Sequence, residues 1–153
     1  MKKEGQAWGF DLVIGMVIFI IGIFSFYLYT INLSGGGGEV IQQLEQNGEL
    51  VADSLMSEGS PLDWNAGNVA RIGLLSGDRI NQTKLDGFRA LAGADYARTK
   101  SLFRINNEYF VYLDNDFAGG IGRDSSNANN LFKISRVIVY DQKVTTLNVY
   151  SWN

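Results

Sequence analysis

The side chains that carry most biological catalysis are missing from this chain. It has no cysteine and no histidine among its 153 residues. Thiol nucleophiles, thiolate metal sites and disulfides are therefore excluded, and so are the commonest general base and the commonest metal ligand. What remains is carboxylate chemistry. Asp114-Asn-Asp116, followed by Gly119, has the opening of a calcium-binding loop. The fifth and twelfth ligand positions are Ala118 and Ser125, and the plain alternative is a polar turn. Two N-glycosylation sequons occur, Asn32-Leu-Ser34 and Asn81-Gln-Thr83. Asn32 falls almost inside an apolar segment, which leaves Asn81 as the candidate acceptor. No carboxylate pair, phosphate-binding loop or serine-centred triad can be assembled, so the chain reads as non-enzymatic, with no cofactor and no metal. A net charge of −3 argues against a nucleic-acid partner, which would want a basic face.

Stepping outward, residues 12–38 carry no charge at all. As a helix, residues 12–33 would extend roughly 33 Å, enough to cross a hydrocarbon core. Lys2 and Lys3 precede this segment, and no Lys or Arg appears again until Arg71. Basic residues tend to stay in the cytoplasm, so the N-terminus is expected inside and the rest outside. The run Gly35-Gly-Gly-Gly38 should stop the helix and act as a hinge over residues 35–38. The organisation expected is a transmembrane helix ending at residue 34, the glycine hinge at 35–38, and one extracytoplasmic domain over 39–153. A cleaved secretory signal ending at Ser34-Gly-Gly36 is the alternative, but its apolar region would be longer than usual.

Placed at 100° per residue, Asp11, Gly15, Ile18, Gly22, Ser25 and Tyr29 share one stripe of this helix. Small residues on one stripe let a second helix approach closely, which matters in lipid, where no hydrophobic drive brings helices together. Asp11 at the rim of the hydrocarbon either finds a partner or sits at headgroup level and caps the helix.

In the outer segment, a second, amphipathic helix is expected from Glu39 to about Met56, with Val40, Ile41, Leu44, Val51 and Leu55 on its apolar side. Trp64 reads as a core anchor under a loop. Asn81-Gln-Thr83 opens a short helix carrying Leu85, Phe88 and Leu91, and Asp95 caps another. Three β-rich segments follow: residues 108–113, 132–140 and 144–152. Asp141-Gln-Lys143 has the length of a tight hairpin, and residues 114–130 form a long polar loop. The fold class expected is α+β: an N-terminal transmembrane helix, a second helix, and a C-terminal antiparallel β-meander that buries its apolar face against that helix.

Charge is segregated along the chain. Residues 35–69 hold six acids and no base, while residues 70–104 hold seven bases and three acids. These segments either pair within one subunit or face water, or the acidic stretch of one copy meets the basic stretch of the next.

The stretch Lys2-Lys-Glu-Gly5-Gln6-Ala-Trp-Gly-Phe-Asp11, running into a long apolar helix, resembles the class III signal segment of type IV pilin-like proteins, especially archaeal ones. That resemblance implies a leader at 1–5, cleaved between Gly5 and Gln6 by a membrane prepilin peptidase, with the transmembrane helix at 6–34 retained in the mature protein. It also implies that Asp11 neutralises the N-terminal amine of a neighbouring subunit. Asp11 would be the sixth mature residue, where the family's carboxylate is normally the fifth, and Glu4 replaces the usual basic residue beside the cut. Helix first and meander last is the pilin order. Gly59-x-Pro61-x-x-Trp64, Gly73-Leu74, Lys84-Leu85 and the strand ending in Trp152 are similar to pieces of archaeal pilin-like ectodomains. The glycine run departs from the family, whose membrane helix usually continues into the globular domain. The function implied is a subunit of a surface filament, partnered by the membrane and by other pilin subunits. The rival is a solitary anchored domain that binds or adheres.

Overall fold

The computed structural model describes residues 4–34, 37–114 and 116–153. The lysines of the expected leader, Gly35 and Gly36 of the expected hinge, and Asn115 of the polar loop lie outside the described residues. The chain divides into two compact units, residues 1–39 and residues 40–153, each described by itself.

The first unit is α1, an unbroken helix over Glu4–Ser34. Glycines at 9, 15 and 22 would each weaken a helix in water by about 1 kcal/mol. In an apolar surround the same sequence has no alternative, because every backbone N–H and C=O must then be satisfied within the segment. Of its polar side chains, Thr30 turns its hydroxyl back onto the Phe26 carbonyl at 2.9 Å, so no free donor is left there.

In the second unit, α2 spans Gly37–Leu55. It starts two residues earlier than expected, so Gly37 and Gly38 form helix rather than hinge. The first helical turn has no intrahelical partners for its N–H groups, and Glu39 there complements the dipole, which offsets the weak propensity of glycine. The buried face of α2 carries Leu44, Val51, Ala52 and Leu55, and its glutamates face out. Gly48 is the closest approach to the sheet: a Cβ there would lie 3.0 Å from Ile134 Cδ1 and 3.5 Å from Ser151 Cβ.

A two-strand hairpin follows, β1 (Leu75–Ser76) and β2 (Arg79–Ile80). Next come α3 (Gln82–Ala94) and α4 (Tyr96–Phe103), opened as expected by Asn81 and Asp95. The Asn81 side chain accepts from the N–H groups of Thr83 and Lys84, and Asp95 accepts from that of Arg98. The remaining strands are β3 (Glu108–Leu113), β4 (Ile121–Gly122), β5 (Leu131–Tyr140) and β6 (Lys143–Trp152).

These strands form one six-stranded mixed sheet in the order β1-β2-β5-β6-β3-β4, not a meander. The β5–β6 hairpin is as tight as its sequence implies, with Asp141 and Gln142 both at positive φ between Tyr140 and Lys143. The departure lies at β3, which pairs with β6 and not with β5. The polar loop supplies the reason. It folds part of itself, β4, back onto one edge of β3, with Phe110 opposite Gly122. The other edge of β3 is then taken by the last strand, and β6 becomes central. The parallel contact of β2 with β5, Arg79 opposite Val139, makes the sheet mixed.

The core lies between the helices and one face of this sheet. Tyr109 is fully buried at its centre, with Phe88, Phe103 and Tyr96 around it at centroid distances of 6.3, 5.3 and 4.9 Å. A second knot gathers the short motifs of the middle segment. Trp64 donates its indole N–H to the Gly73 carbonyl at 2.8 Å, under Gly59, whose φ of +77° leaves no room for a Cβ. Buried Lys84 donates to the carbonyls of Glu58 at 2.8 Å and Leu75 at 2.7 Å.

Candidate functional site

The first candidate surface is α1 itself. Over Gly9–Ile31 it is long and apolar enough to cross a membrane, and within its own unit none of that stretch is buried. Large apolar side chains point in every direction: Leu12, Val13, Ile14, Met16, Val17 and Ile18 are all exposed. A helix apolar all round belongs in lipid or among other helices, since water would be the least favourable surround. Because α1 is continuous, Asp11, Gly15, Ile18, Gly22, Ser25 and Tyr29 do share one stripe about 27 Å long. A Cβ built at Gly15 or at Gly22 meets nothing within 4 Å, so neither glycine is required by packing within this unit. Gly5 and Gln6, the expected processing point, lie in the first turns of the same helix.

The carboxylates of the polar loop are occupied by the chain. Asp114 accepts from the Thr145 hydroxyl and from the Thr146 N–H at 2.9 Å, while Asp116 accepts from the Gly119 N–H at 2.9 Å. The Thr145 hydroxyl first, then the Thr146 amide, hold the Asp114 carboxyl below its usual range. This is the geometry of turn caps, and among the described residues no group of carboxylates converges as metal ligands would. Asn81 is likewise engaged on both sides of its amide. Its oxygen caps α3, and its nitrogen donates to the Ser76 hydroxyl at 3.0 Å.

A feature the sequence patterning did not single out is the outward face of the sheet. Tyr109, Val111, Leu147, Val149 and Ile134 point to the core, so alternate residues point away from it. Register then places Phe110, Tyr150 and Lys133 in one cross-strand row, and Tyr112, Asn148 and Ser135 in the next. Phe117, from the polar loop, stacks on Tyr112 at 4.3 Å and stays 53% exposed. The Lys133 ammonium lies 5.8 Å from the ring centroids of both Tyr112 and Tyr150. The hydroxyls of Tyr112 and Tyr150 share a hydrogen bond at 3.0 Å, and this bond, with some burial, holds the Tyr150 phenol above its usual value. Beside these rings is a shallow polar depression of about 470 Å³ lined by Asp114, Lys133, Ser135, Thr146 and Asn148. The signal available in the sequence was the aromatic pair at 110 and 112, spaced to share one strand face, set against a polar alternation in the last two strands.

The charge segregation also resolves. Among the described residues, no acid of residues 35–69 forms a salt bridge with a base of residues 70–104. The single bridge from the acidic segment runs from Asp53 to Arg136 at 3.7 Å. The other glutamates on α2 face out without a basic partner among the described residues. No protein-family model, characterised protein or solved structure matches the chain. Its chemistry therefore has to be argued from two surfaces, an apolar rod and an aromatic sheet face.

Proposed function

We propose that the chain is a non-enzymatic, membrane-anchored, pilin-like subunit of a surface filament, assembling through α1 with its α+β domain outside the membrane. One observation carries this reading. The apolar helix is unburied within its own unit over Gly9–Ile31, and Gly15, Gly22 and Ser25 fall on a single stripe whose glycines serve no contact within that unit. A bare anchor needs only apolarity, whereas a stripe of Gly15, Gly22 and Ser25 opens a groove for a neighbouring helix. The outward-facing acids of α2 favour neighbours too, since of these acids only Asp53 meets a base among the described residues. The leader-like Lys2-Lys-Glu-Gly5-Gln6 stretch supports a prepilin peptidase as processing partner.

The test is substitution of Gly15→Leu or Gly22→Leu, followed by native-gel or sedimentation analysis in membranes or micelles. Both side chains fit the isolated helix, so the outer domain should keep its circular dichroism and melting temperature while higher oligomers disappear. Normal assembly of both variants, or a wild type with no oligomer to lose, returns the protein to the rival reading of a solitary anchor. The outward face of the sheet, with Phe117 exposed on it, is the observation that favours that rival.

A further inference from the structure

We infer that the outward face of the sheet, where Phe117, Tyr150 and Lys133 border the depression lined by Asp114, Ser135, Thr146 and Asn148, binds a neutral oligosaccharide. A pyranose ring offers two chemically different surfaces: a flat patch of C–H groups, and a rim of hydroxyls that both donate and accept. This face offers the complement of each. Phe117 is half-exposed and stacked on Tyr112, so it presents a fixed ring to solvent at little entropic cost. The Lys133 ammonium has no hydrogen-bond acceptor among the described residues and keeps its three donors for a ligand. Each Asp114 oxygen takes one protein donor and has a further lone pair. The Ser135 hydroxyl donates to Asn148 Oδ1 at 2.7 Å and remains free to accept. From the Tyr150 row to Thr146 is four residues along β6, roughly 13 Å, which suits a short chain of sugars better than a single ring.

Other occupants fit less well. Over Leu147–Trp152, β6 is paired on both sides by β3 and β5, so an added peptide strand finds no free backbone at the centre of this face. One lysine beside one aspartate gives a nearly neutral site, too weak for a phosphate backbone and suited to an uncharged glycan. A second protein copy would prefer a continuous apolar surface, and here the centre is polar. The site lies in the outer domain and does not depend on α1, so it stands or falls separately from filament assembly.

The experiment uses the full chain in a zwitterionic detergent without sugar headgroups. Maltotriose, cellotriose, chitotriose and mannotriose are titrated by calorimetry and by saturation-transfer NMR. At least one should bind saturably, with a dissociation constant in the millimolar range or tighter. Phe117→Ala and Lys133→Ala should each weaken binding by roughly tenfold, whereas Val144→Ala, exposed at the far end of β6, should leave it unchanged. Both test positions are exposed, and unchanged melting curves would confirm that the fold is intact. Three results would overturn the proposal: no saturable binding of any of the four, binding indifferent to Phe117→Ala and Lys133→Ala, or a Phe117→Ala variant that dissociates a wild-type oligomer, which would make the face a contact between copies. Gly15→Leu should keep the sugar affinity even where it abolishes assembly.

Discussion

At the scale of single residues, the domain of residues 40–153 is held by a few buried polar contacts that tolerate little change. Trp64 fills the space between Gly59, Gly73 and Gly87 and is only 5% exposed. Trp64→Ala should cost about 3–5 kcal/mol, read as a lower urea midpoint with an unchanged slope. Lys84→Met keeps much of the volume but leaves the Glu58 and Leu75 carbonyls without their ammonium, for a loss of about 1–3 kcal/mol. Glu108 governs the acid side. Burial raises its pKa, but hydrogen bonds from Lys100 and Tyr96 and the charges of Lys100 and Arg123 outweigh it, so the net shift is downward from 4.5. A carboxyl depressed by folding stabilises above its unfolded value and loses that contribution as pH falls through its folded value. Glu108→Gln should therefore flatten the fall of melting temperature below about pH 4.5, leaving the same profile near neutrality.

At the scale of elements, what was legible followed from short-range chemistry. Asn81 and Asp95 announced α3 and α4 because a side chain that caps a helix does so within three residues of itself. The β5–β6 hairpin was legible for the same reason. Its central residues hold αL geometry at φ 47° and 61° without glycine, which costs about 1–2 kcal/mol per residue. Gln142→Gly should accordingly raise the melting temperature by a few degrees in calorimetry, and a fall would mean that the Gln142 side chain makes a contact of its own. What was not legible depended on partners distant in sequence. Nothing local in residues 108–113 says that they pair with the last strand, because that choice is made when β4 takes their other edge. The sugar-facing rows were hidden likewise, since Phe110, Tyr150 and Lys133 meet only once that register is set. The start of α2 lies two residues before the expected Glu39, because a helix terminus tolerates glycine.

At the scale of the whole molecule, one chain carries two surfaces suited to two solvents. A helix apolar on every side is best covered by lipid, by other helices or by both. The stripe on α1 was legible in the sequence because helical spacing is arithmetic, and the unbroken helix preserves it. Which neighbour covers the stripe is the central claim of the account, and the absence of native cysteine makes it directly measurable. Single cysteines placed at Gly22→Cys and Ser25→Cys on the stripe, and at Ile20→Cys on the opposite side, can be oxidised in membranes and read as disulfide-linked dimers. Helix-mediated assembly predicts strong dimer at 22 and 25 and little at 20. Equal cross-linking at all three positions, or none at any, would contradict it.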